Sequence, residues 1–159
     1  MKLFRLLPLL LGCIATALLA STATAAEPAA PGPAKPHYTL DNCINTFDSA
    51  KTEKTDAGYQ YWFADRNLAD GKTVKLSVVG PHLSTHAPHR HPEDEFFFIL
   101  EGKAELYLDG TWRAVGPNTC FYCPSGQEHG IRNAGDIELR YLVIKKYEAA
   151  EAANPTTAK

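Results

Sequence analysis

Two imidazoles one residue apart, His89 and His91, and a carboxylate four residues after the second, Glu95, mark where this chain could do chemistry. A third imidazole, His129, closes the run Pro124-Ser125-Gly126-Gln127-Glu128-His129. Alternate residues of a strand share a face, so His89 and His91 point the same way. A turn at Pro92-Glu93-Asp94 followed by a new strand brings Glu95 beside them. Three nitrogens and one oxygen suit one divalent transition metal (iron, manganese, zinc, nickel or copper), with positions left open for water or substrate.

Such a set needs a scaffold, and the surrounding sequence reads as strands. Residues 59–63 are rich in strand formers, residues 74–79 alternate, and Asp70-Gly71 between them is a turn signal. Residues 104–108 and 111–115 flank Asp109-Gly110 and read as a hairpin. Residues 96–100, 120–123, 130–133 and 137–147 complete the count, and no stretch has a helical period. Many short strands with Gly and Pro turns predict an all-β sandwich or barrel. The run 96–100 is continuously apolar and is expected to be covered on both faces. If Glu95 faces the metal, Phe97 and Ile99 line the interior while Phe96, Phe98 and Leu100 face outward. The arm at 37–63, polar and weakly patterned over 37–58, or a second copy of the chain would cover those three; a homodimer is the expectation.

The ligand spacing resembles the two motifs of the cupin superfamily. The first reads HxH, three residues, E, six residues, G, matched by His89, His91, Glu95 and Gly102. The second reads G, five residues, PxG, two residues, H, three residues, N; Pro124, Gly126, His129 and Asn133 fit it. Asn118 stands at its opening glycine, a position Asn tolerates because it accepts positive φ. Gly80 lies nine residues before His89 where the motif expects six, so that loop is longer. The resemblance spans about residues 70–147, with 15 residues between Gly102 and Asn118. It implies a double-sheet jelly-roll β-barrel with His89, His91, Glu95 and His129 as metal ligands.

Fold alone does not choose a reaction. Cupins with this ligand set include dioxygenases, dicarboxylate oxidases and decarboxylases, sugar isomerases and enzymes that open unsaturated uronates. The resemblance thus implies a metal-dependent enzyme on a small oxygen-rich substrate: a sugar acid, dicarboxylate or phenolic. A non-catalytic small-molecule-binding module and a germin-like metal-centred redox protein are the alternatives. Tyr107 and Tyr141 carry hydroxyls suited to proton donation or hydrogen bonding. Phe97, Phe121 and Trp62 are further wall candidates. Lys75 and the arginines could recognise a carboxylate, although parity places none of them inside. His82 and His86 read as surface-loop histidines, with a place on a pocket rim or in a proton shuttle as the alternative; Glu93 and Asp94 read as a solvated turn, and Arg90 as structural.

The 159 residues suffice for one domain. Residues 1–26 have a charged start at Lys2 and Arg5, an apolar run and a small-residue site at Ala23-Thr24-Ala25, and read as a secretory leader. Leu10-Leu11-Gly12-Cys13 resembles a lipoprotein box, but the apolar run continues past Cys13 where a polar tether is expected. Loss of the leader takes the formal charge from −2 to −4, and the scattered basic residues suggest neither nucleic acid nor membrane as partner. Residues 27–36 form a Pro/Ala linker, 37–148 the domain with its arm, and 149–159 a disordered tail. A periplasmic or secreted protein follows. That compartment permits a disulfide from Cys43 to Cys120 or Cys123; three reduced thiols are the other reading. Cys120 and Cys123 are too far apart along a strand to join each other. A thiol inside the barrel would favour softer metals.

Overall fold

A computed structural model describes residues 37–147. The leader, linker and tail read from the sequence lie outside the described residues. Residues 38–147 pack as one unit. A single-turn helix α1 (Leu40–Cys43) and a 3₁₀ turn (Ser49–Lys51) lead into the strands. The strands are β1 (Glu53–Thr55), β2 (Gly58–Ala69), β3 (Lys72–Val79), β4 (Glu95–Glu101), β5 (Ala104–Leu108), β6 (Thr111–Val115), β7 (Cys120–Cys123), β8 (His129–Asn133) and β9 (Leu139–Lys146).

They form two antiparallel sheets, one of six strands in the order β1-β2-β3-β9-β4-β7 and one of three in the order β6-β5-β8. The neighbours β9 and β4, and β8 and β5, are distant in sequence, as a jelly roll requires. The tight hairpins β2–β3 and β5–β6 have the backbone their turn residues favour. Asp70 and Gly71 have φ of 54° and 76°, and Asp109 and Gly110 have φ of 41° and 90°, the doubly positive pattern of a type I′ turn.

The main core lies between the sheets. Phe97 and Ile99 of β4, Leu139, Tyr141 and Val143 of β9, Leu106 of β5 and Ile131 of β8 meet there. Full burial of a side chain such as Ile99 or Leu139 contributes about 1.5–3 kcal/mol. A second cluster, Tyr61, Leu76 and Val78 with Leu142, occupies the other face of the large sheet. There the arm docks. The Phe47 ring stands edge-on to Tyr61 at 5.0 Å, and the Tyr61 hydroxyl donates to Asn45 Oδ1 at 2.7 Å.

Among the described residues, the outward side of residues 96–100 is only partly covered. Phe96 and Leu100 remain 41% and 42% exposed, and Tyr122 and Ile144, the cross-strand partners of Phe96, 47% and 40%. Among the described residues the arm does not supply that cover, because it packs over β2 and β3 instead.

Candidate metal centre

Backbone contacts bring the two ligand segments together. His89 and His129 exchange N–H···O bonds, both 3.0 Å, as an isolated antiparallel bridge. The Gly126 N–H donates to the His91 carbonyl at 2.9 Å, clamping the second turn onto the first histidine segment. Glu95 opens β4 directly opposite Cys123 on β7. Asn133 is a structural member of its motif. Its buried amide lies 2.7–3.0 Å from the carbonyls of Val79, Gly80 and Ile137 and ties β8 to β3 and to the turn before β9.

The four ligands read from the sequence converge. Donor atoms of His89, His91 and His129 lie within 4.8 Å of one another, as do those of Glu95, Cys123 and His129. Glu95 Oε2 is 3.3 Å from both His91 Nε2 and His129 Nε2, and those two nitrogens are 3.1 Å apart. His129 Nδ1 faces the Gln127 carbonyl at 2.9 Å, an acceptor that fixes the proton on Nδ1 and turns Nε2 inward. The buried Nδ1 of His89 has no hydrogen-bond partner. Converging imidazoles, an ionised carboxylate and an orphaned ring nitrogen fit a divalent cation.

Electrostatics agree. Burial, with His86, His129 and His91 adding, pulls His89 down to about 4, leaving a neutral ring with a lone pair at pH 7. Burial works against ionisation of Glu95. Hydrogen bonds to His129 and His91 and the charge of Lys145 outweigh it, and Glu95 falls to about 2. Burial opposes charge on His129 too, but contacts with Glu95 and the Gln127 carbonyl raise its pKa. Burial, with Glu95 adding, pushes the Cys123 thiol far up and keeps it protonated. All three described cysteines are free thiols. Cys43 and Cys120 are exposed and Cys123 is buried against Glu95, so the possible Cys43 disulfide is not formed.

A cavity of about 550 Å³ opens on this cluster. Its wall corrects several readings. Glu93 is not a solvated turn residue. It is 7% exposed, with Oε2 3.1 Å from Lys145 Nζ and 3.2 Å from His91 Nδ1, the latter without the alignment of a hydrogen bond. Asp94 does face solvent, accepting from the Tyr122 hydroxyl and the Ser125 N–H. His86 lines the cavity, its ring edge-on to His89 at 4.3 Å, whereas His82 pairs with Asp136 at the surface. Lys75 and Lys145 are wall residues, and neither was placed inside from the sequence.

Phe97 lines the cavity as expected, but Tyr107, Tyr141, Phe121 and Trp62 do not. Tyr107 shares its strand face with Glu105, outside the barrel, and donates to Glu128 at 2.8 Å. Tyr141 lies below the cavity in the core, 3% exposed and packed edge-on to Phe97, where burial pushes its hydroxyl up to about 12. Neither hydroxyl is brought to the four ligands. The missed wall residues had one usable signal. Lys145 has the parity of Tyr141 and Val143, and Glu93 that of Glu95.

Residues 75–145 match the cupin domain family. The chain is 27% identical over 106 residues to the H2HPP isomerase of Bacillus subtilis, covering 66% of this chain and 43% of that protein. It is 42% identical over 45 residues to the dimethylsulfoniopropionate lyase DddQ of Ruegeria pomeroyi, covering 28% of this chain and 22% of that protein. The matches thus span less than half of these relatives' own length. A solved Cupin 2 conserved barrel domain protein from Salinispora arenicola superposes with a TM-score of 0.56 at 22% identity, over 69% of this chain and 94% of that one, and has the same fold.

Proposed function

The chain belongs through residues 75–145 to the cupin superfamily, and on that premise we propose a metal-dependent enzyme acting on a small oxygen-rich molecule, a sugar acid, dicarboxylate or phenolic. The observation that carries the reading is the meeting of His89, His91, Glu95 and His129, the first three of which line a cavity large enough for an organic ligand. A divalent ion held by these four residues would act as a Lewis acid on a substrate oxygen. The remaining work falls to the chain. Phe97, Ile131 and Val143 form apolar wall that excludes water, Glu93 with Lys145 braces His91, and Lys75 brings a positive charge. A charged group beside the ligand cluster supports an enzyme over a passive binding module, and the volume supports organic-substrate chemistry over a germin-like site. Two relatives bear names of an isomerase and a lyase.

The order of charged, apolar and small residues over 1–26 supports export, so the metal would be acquired in the periplasm or outside the cell. There copper, zinc or nickel outcompete manganese and iron(II) on intrinsic affinity. The open face around Phe96 supports a homodimer.

Elemental analysis of protein exported in its natural compartment tests the reading. One metal per chain is expected, and none in the double variant His91→Ala/Glu95→Ala. Full occupancy in that variant would show the ligands to be misassigned.

A further inference from the structure

The cations of the cavity wall are not equivalent. Lys145 is engaged by Glu93 at 3.1 Å. Arg66 stacks on Tyr147, with Cζ 3.5 Å from the ring centroid. Arg90 is exposed and donates to the Gly126 carbonyl. Lys75 is half-buried, and no carboxylate of the described residues lies within ion-pair distance of its ammonium. Its ammonium stands over the face of Trp62, 5.1 Å from Nζ to centroid. Burial lowers the Lys75 pKa, and Glu95 is the main group working against that shift.

Register fixes where Lys75 stands. It pairs with Val143 on β9, and Val143 pairs with Phe97 on β4, so these three wall residues form one row across adjacent strands. Lys145 and Glu95 form the neighbouring inward row. Lys75 and Glu95 thus rise from strands two spacings apart and from adjacent inward rows, about 12 Å at the backbone, and both reach inward. A few carbon atoms bridge that gap. An ammonium withdrawn from water without an ion pair is satisfied by an anion arriving with the substrate.

We propose that Lys75 anchors a carboxylate of the substrate, set apart from the oxygens presented to His89, His91, Glu95 and His129. This rests on the metal-site reading above and narrows the substrate class. It favours small organic acids with a chelating end, such as a 2-hydroxy or 2-oxo acid group, and a second carboxylate a few bonds away.

Malate and 2-hydroxybutanoate test the idea, because they share a chelating 2-hydroxy acid end and differ by a distal carboxylate or methyl. Calorimetry on the zinc-loaded chain is expected to show malate bound about tenfold tighter or more, the scale of one charge-assisted hydrogen bond. Lys75→Met is expected to erase that preference while metal content stays stoichiometric, and Lys75→Arg to keep it. A preference unchanged in Lys75→Met, or absent from the wild type, overturns the proposal. If Lys75→Met does not fold, Lys75→Gln takes its place with the same outcomes. Failure to bind zinc would sink the metal site separately. The malate preference and its dependence on Lys75 would then be read on the metal-free chain and still decide the role of Lys75.

Discussion

Glu93 and Glu95 stand two residues apart on the same inward side and do different work. Glu95 presents Oε2 to two imidazoles. Glu93 sits behind His91 and neutralises Lys145, with both side chains under 10% exposed. Removing one partner of a buried pair strands the other charge and costs about 3–5 kcal/mol, whereas replacing both with apolar or neutral groups is often tolerated. Glu93→Gln is therefore expected to lower stability strongly in urea denaturation, and Glu93→Gln/Lys145→Met to restore most of it. Metal affinity, measured by chelator competition, should fall about tenfold or more in both variants, since His91 loses its outer brace in each. Recovery of affinity along with stability would show that Glu93 serves only the fold. The convergence of His89, His91 and Glu95 was legible from the sequence because their spacing is short, and that of His129 only through the second motif. The pair behind them was not, since a charged residue beside proline reads as a solvated turn until its partner fifty residues away is known. Tyr107 and Tyr141 miss the cavity for different reasons. Tyr107 is on the outer face of β5, whereas Tyr141 is on the inner face of β9 but at core depth, and parity assigns a face but not a depth.

At the level of elements, turns were the most readable feature because they depend on backbone sterics at one or two residues. Gly102, between β4 and β5, has φ of 88°, and a Cβ there would meet the Glu138 carbonyl oxygen at 2.6 Å. Gly102→Ala is expected to cost at least about 2 kcal/mol in thermal or chemical unfolding. Asn118 also has positive φ, 62°, as expected of a residue at a motif glycine. Asn118→Gly should change stability by no more than about 0.5 kcal/mol. Equal effects at the two positions would mean that backbone sterics are not what these turns select. Strand existence was equally readable from alternation. The docking of the arm was not, because it depends on Phe47 and Asn45 meeting Tyr61 across a gap that no local pattern encodes.

For the molecule as a whole, the row Tyr122, Phe96 and Ile144 across β7, β4 and β9 leaves an apolar face in water. Contiguous apolar surface of this kind is characteristic of interfaces. Light scattering should give twice the chain mass, and Phe96→Ser/Tyr122→Ser should reduce it to one chain with the metal content unchanged. A monomeric wild type would remove the dimer from the picture and leave the barrel chemistry untouched. The bridge between His89 and His129 has a consequence of another kind, in time. An extended chain holds His89, His91 and Glu95 within a few residues, but His129 lies 38 residues beyond His91. Closing such a loop carries an entropic cost that only non-local strand pairing repays. His129 can therefore join the other three candidate ligands only when β8 pairs with β5. A growing chain would offer a cation only an open, weak partial site, with full affinity expected together with the finished barrel.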